Sequence, residues 1–219
     1  MPRPKQRTPQ LRRRILDIAL ELLVTEGVSS LTTRRVAELA NTSPPAIYEL
    51  FAHKEGLLRG LFYEGFERLL TRFEALSITN DPLDDVRAMM SAFRAFATDN
   101  PALFGMMYNR PFDTFGPGQE ELELGEGTRR FFVDRVQRCV AAGAIAADAV
   151  DVAHGLLALA IGLATQENAG WLGRSPATRA RRWALAVDLL LSGHSADRSS
   201  RRPKARPARP RKRTARAAR

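Results

Sequence analysis

From Gln10 onward, apolar residues recur every three or four positions: Leu11, Ile15, Ile18, Ala19, Leu22 and Leu23. This is the period of one face of a helix, and Gly27 supplies a stop. After a connector carrying Val28 and Leu31, two shorter segments follow. Thr32 and Thr33 can cap a helix whose apolar stripe is Val36, Ala37, Leu39 and Ala40. Asn41 and Thr42 break that pattern. Ser43 can cap the next helix, and Pro44 takes its first position, where no N–H is needed. Ala46, Ile47, Leu50 and Phe51 then give a second apolar face. Two short helices around a tight polar turn form a helix-turn-helix over residues 32–51, a unit that lays its second helix in the DNA major groove.

The same period continues to the end of the patterned region. Lys54 and Glu55 open a fourth helix, with Leu57, Leu58, Leu61, Phe62, Phe66, Leu69, Leu70 and Phe73 on one side. Asn80-Asp81-Pro82 starts another, with Asp84 and Asp85 in its first turn, where the helix dipole favours acids. A short helix follows Pro101, residues 110–118 read as a loop, and 119–142 read as helix. Asp148 can cap a very apolar helix to about residue 169, and Ser175-Pro176 begins the last, which stops at Gly193. No period-2 alternation and no internal repeat occur. The expected fold is all-α with about nine helices. It divides into an arm at 1–9, a DNA-binding unit at 10–70, a helical body at 71–194 and a tail at 195–219.

Composition changes this picture in one respect. The net charge of +10 is concentrated at the ends. Residues 198–219 hold eleven Arg or Lys and residues 1–14 hold six, with no acid in either stretch. The middle of the chain retains seventeen basic against 24 acidic residues, a net of −7. From Ser195 onward no large apolar residue occurs, so nothing there can offset the entropy of ordering. Both end segments are expected to be disordered and basic. No run approaches the ~20 apolar residues of a membrane span; the greasiest stretch, 152–164, is short and includes His154. The reading is a cytoplasmic protein. Cys139, the single cysteine, excludes an intramolecular disulfide. His53, His154 and His194 make no metal-ligand spacing, and no phosphate loop, dinucleotide fingerprint or nucleophile elbow is present. No enzymatic activity, metal or cofactor is expected.

The opening ILDIALELLVTEGVSSLTT, the VAELA stretch, Ser43 at the turn, Ile47-Tyr48, Phe51 and His53-Lys54-Glu55 before Leu57-Leu58 together resemble the TetR family of transcriptional regulators. The likeness runs from about Gln10 to Leu70. Asn41 stands where that family usually has glycine, and Leu50 where it often has an aromatic or histidine. Asn tolerates a left-handed conformation, so the turn should survive. FRAFATDNPALFGMMYNRP and the His154-Gly155 pair resemble the body of one branch of the family, with Asn100 where His often precedes the proline.

The geometry of such a head assigns roles. Thr42 and Ser43 offer hydroxyls and N-terminal N–H groups to phosphates. Pro44, Pro45 and Ala46 can make only apolar contact with bases. Tyr48 and Lys54 reach phosphates, Arg34 and Arg35 clamp the backbone from the preceding helix, and Thr33 and His53 flank the groove. The resemblance further implies a homodimer pairing through helices at about 148–170 and 176–192, a pseudo-palindromic operator on double-stranded DNA, and a ligand-responsive repressor. Phe93, Phe96, Phe104, Met107, Tyr108, Phe112, Phe132, His154 and Trp171 are candidates to line an effector cavity, which would take an apolar or aromatic molecule. The alternative is an architectural protein that binds DNA without sequence preference through the basic tail.

Overall fold

A computed structural model of the chain describes residues 8–108 and 119–193. Residues 1–7 of the expected arm, residues 109–118 with the expected loop at 110–118 and Phe112, and residues 194–219 with the expected tail at 195–219 lie outside the described residues. Nine α-helices occur among the described residues: α1 (Pro9–Glu26), α2 (Thr33–Leu39), α3 (Pro44–Phe51), α4 (Lys54–Glu74), α5 (Pro82–Asp99), α6 (Pro101–Tyr108), α7 (Gln119–Ala141), α8 (Ala149–Asn168) and α9 (Pro176–Gly193). One 3₁₀ turn, Val28–Ser30, joins α1 to α2.

Local chemistry accounts for the helix ends. The Thr8 side chain accepts from the Leu11 amide and opens α1, and Gly27 closes it at φ 78°. Asp81 accepts from the amides of Leu83 and Asp84 to start α5, and Asp148 does the same for Val150 and Asp151 at α8. These side chains satisfy donors that a helix leaves unpaired in its first turn.

Helix α4 runs through both halves of the molecule. It packs on α1 and α3 and also on α5, α6 and α7. Its buried positions, among them Leu57, Leu61, Leu69 and Phe73, repeat at helical spacing and join the core of the head to that of the body in one continuous apolar cluster. In the body, Phe73 stacks on Phe131 at 4.9 Å between ring centroids. Phe93 meets Phe132 edge-on at 6.1 Å.

A buried ion cluster ties the α4–α5 link to α7. Asp85 is only 2% exposed. Its carboxylate accepts from the Thr79 amide at 3.0 Å, from the Thr79 hydroxyl at 2.8 Å and from Arg138. Arg138 also donates to the Thr79 carbonyl at 2.7 Å, and Arg135 donates to the carbonyls of Ser77 and Leu76. Burial pushes the Asp85 carboxyl up, but the bonds from Arg138 and Thr79 outweigh it and hold the group below its ordinary value. The helix dipole was expected to explain Asp84 and Asp85 alike. It suffices for exposed Asp84, whereas Asp85 is a structural charge held by two arginines.

Three further expectations need correction. Leu39 was assigned to the apolar stripe of α2 but is exposed, leaving Val36, Ala37 and Ala40 to anchor that helix. Helix α8 is, by length and composition, apolar enough to cross a bilayer, contrary to the expectation that no such run exists. Only one of its faces, Val152, Ala153, Leu156, Ala160 and Ala164, is buried in the single chain. Cys139 is buried, as expected, and burial raises its thiol pKa, which disfavours the thiolate.

Candidate nucleic-acid interface

The turn between α2 and α3 is built by backbone bonds. Asn41 takes φ 50°. Its amide donates to the Glu38 carbonyl at 3.1 Å, and the Thr42 amide donates to the Ala37 carbonyl at 2.9 Å. These paired bonds around one left-handed residue form a Schellman C-cap. Asparagine supports it because its short polar side chain tolerates the left-handed region. Ser43 then caps α3, its hydroxyl accepting from the Ala46 amide at 3.4 Å, and Pro44 sits in the first turn.

Helix α3 turns Ile47 and Phe51 inward and leaves Pro44, Pro45 and Tyr48 exposed. Tyr48 is 49% exposed, and its hydroxyl lies 3.3 Å from that of Thr33 on α2. The structure therefore brings two of the sequence-derived candidates together across the motif. Ser43, Arg34, His53 and Lys54 are exposed, and Thr42 and Ala46 are half-buried. Arg35 is engaged differently from expectation: its guanidinium donates to Glu26 at 2.6 Å. A phosphate would have to compete with that carboxylate. Arg34 and Lys54 have no such partner among the described residues.

The joint between α3 and α4 is tight. Ala52 sits at φ 58°, ψ −57°, and the His53 amide donates to the Phe51 carbonyl at 2.6 Å. This is a γ-turn in a strained region for an L-residue. A Cβ on Gly56 would lie 1.8 Å from the Phe51 carbonyl oxygen. Glycine is therefore required where the end of α3 presses on the start of α4. No sequence signal had singled out Ala52 or Gly56. Their roles follow from where α3 ends against α4.

Comparison with known proteins matches this architecture. Residues 15–61 match the family described as bacterial regulatory proteins, tetR family, and residues 86–190 match the tetracyclin repressor-like C-terminal domain. The chain belongs to the TetR family of transcriptional regulators. An HTH-type regulator of Bacillus subtilis, YvkB, is 45% identical over 49 residues, which are 22% of this chain and 26% of that protein. The nucleoid occlusion factor SlmA of Vibrio campbellii is 34% identical over 94 residues, 42% of this chain and 48% of that one. The matches thus cover half or less of these curated relatives. Among solved structures, a Rhodococcus protein of unknown function superposes with a TM-score of 0.76 at 27% identity, covering 89% of this chain and all of that one. PfmR, a TetR family regulator of Thermus thermophilus, gives 0.65 at 20% identity over 82% of this chain and 97% of its own, a likeness of fold.

In this TetR-family chain the residues expected to line an effector cavity fall into two groups. Phe93, Phe96, Phe104, Met107 and Phe132 are buried in the core, and Tyr108 lies against Phe104 at 5.2 Å. Two candidates fall outside that cluster altogether. Trp171 follows the end of α8 and is 80% exposed. His154 is on an exposed face of α8, with Nδ1 3.0 Å from the Val150 carbonyl, and is not a core histidine. The azimuth of His154 on α8 and the place of Trp171 beyond its end turn both outward.

Proposed function

We propose that the chain is a homodimeric, ligand-responsive repressor that binds a pseudo-palindromic operator in the cytoplasm. The exposed front of α3, with the Thr33–Tyr48 hydroxyl pair behind it, carries this reading. That surface offers hydroxyls and apolar groups to the groove and leaves phosphates to Thr42, Ser43, Tyr48 and Lys54. Between Ser43 and Phe51 no Arg, Lys, Asn or Gln occurs. Bases are therefore read through apolar contact and DNA shape, without the bidentate bonds such side chains make. A dimer is supported by the outer faces of α8 and α9. Leu185 and Leu189 are 57% and 62% exposed, and Ala158 and Gly162 leave room for close helix approach. A second copy covering these faces would present two α3 helices to two half-sites. An effector that binds one spacing of the heads better than another would shift the population and release DNA.

Footprinting on the DNA flanking the protein's own gene tests this reading. A protected, two-fold related site is expected, together with a dimer mass by light scattering that falls to a monomer in Leu185→Arg/Leu189→Arg. Equal affinity for that DNA and for random DNA would instead support an architectural protein. That second reading draws on the basic tail and on the similarity to nucleoid occlusion factors.

A further inference from the structure

A groove of about 700 Å³ runs between α5 and α9, closed at one end by the last turn of α8. Met90 and Ala95 of α5 and Trp183, Ala184 and Val187 of α9 supply its apolar surface. Its volume is in the range of sites that hold small organic molecules.

The two ends of the groove differ in charge. At one end, Arg87 lies between two carboxylates, Asp188 at 3.0 Å and Asp84 at 2.8 Å, which leaves one negative charge in excess. At the other, two guanidinium groups share one carboxylate. Arg94 takes both oxygens of Glu167, at 2.8 and 2.7 Å, and leaves Arg179 at 3.4 Å from the same carboxylate. One positive charge is in excess there. The Arg94 guanidinium also lies 5.8 Å from the centre of the Trp183 ring. The Trp183 ring, 4% exposed, is part of the groove's wall.

From the surplus guanidinium and the apolar surface, we infer that this groove binds an amphipathic carboxylate. Its acid group would meet Arg179, and its apolar body would lie along Trp183, Met90, Ala184 and Val187. The inference deepens the ligand-responsive reading by naming a site and a ligand class, and it places the ligand outside the aromatic core.

The two tryptophans allow a direct test. Trp171 is exposed and does not line the groove, so Trp171→Phe leaves Trp183 as the sole indole reporter. The full-length Trp171→Phe protein is titrated with 2-naphthoate, with decanoate and with the uncharged 2-naphthylmethanol, without DNA. Saturable change in Trp183 emission is expected with at least one acid, at least tenfold tighter than with the alcohol. Arg179→Gln should weaken acid binding about tenfold, and Ala184→Phe, which fills the groove from an exposed position, should abolish it. No saturable change with either acid would overturn the proposal, as would binding indifferent to both substitutions. A change of oligomer mass in Ala184→Phe with acid binding intact would make the groove a contact between copies and also overturn it. Because no DNA is present, each of these failures leaves operator binding untouched, and a failure to bind an operator leaves the titration standing.

Discussion

The hydroxyls of Thr33 and Tyr48 lie 3.3 Å apart, bridging the first turn of α2 and the middle of α3. This pair fixes the tyrosine's direction on an exposed surface, so that its oxygen can serve a phosphate without a search over rotamers. Tyr48→Phe removes the hydroxyl and keeps the ring. Operator affinity should fall about fivefold to tenfold, the worth of roughly one hydrogen bond. In a double-mutant cycle, Thr33→Val should cost less in the Tyr48→Phe background than alone. Strictly additive losses in gel-shift titrations would show that the two hydroxyls act separately.

Gly56 makes the α3–α4 joint possible. Gly56→Ala places a methyl group against the Phe51 carbonyl, which is backbone and cannot move aside cheaply. A loss of about 1–3 kcal/mol in urea unfolding is expected, with an accompanying loss of operator affinity as α3 shifts. Ala52→Gly relieves a positive φ and should not destabilise the fold by more than a few tenths of a kcal/mol, since strain relief opposes the entropy of glycine. A larger loss would mean that the γ-turn carries no strain.

The Asp85 cluster predicts an acid-sensitive contribution to stability. Its folded pKa lies below the unfolded value, near ~3.9 for an aspartate. The stabilisation is therefore fully present above that pH and is lost as pH falls through the folded value. Asp85→Asn leaves Arg135 and Arg138 without their carboxylate and should cost about 3 kcal/mol at neutral pH. The variant's unfolding free energy should then depend less on pH below about 4 than that of the parent chain. Parallel pH profiles would exclude Asp85 as the source.

The basic tail gives a separable prediction from its charge alone. Removing residues 195–219 takes away eleven basic residues and no acid but Asp197. Binding should weaken on every DNA sequence, and the slope of log K against log salt should become shallower, because fewer counterions are released. Preference for an operator over random DNA should persist. An unchanged slope would show that the tail does not touch phosphates.

The helix-turn-helix was legible in the chain because its determinants are local. Thr32, Asn41, Ser43 and Pro44 act on backbone groups within a few residues, and Val36, Ala37, Ile47 and Phe51 repeat at helical spacing. The ends of α5, α8 and α9 were legible for the same reason. What a helix presents to its neighbours is not local. Periodicity predicted the helices that carry Phe93, Phe132 and Tyr108 but could not say that Phe93 would pack against both other rings. It could not place Trp171 and His154, whose exposure depends on where α8 ends and which of its faces meets α5 and α7. Asp85 read as an ordinary first-turn acid until Arg135 and Arg138, some fifty residues away in the chain, were brought against it.

For this protein, the amino-acid order determined the helices, their caps and the reading head, because these depend on contacts between residues three to five apart. Only the tertiary structure decided that Tyr48 leans on Thr33, that Gly56 must lack a side chain, and that an open groove lies between α5 and α9. Each of these depends on the distance between surfaces far apart in the chain, which packing sets and local sequence does not encode.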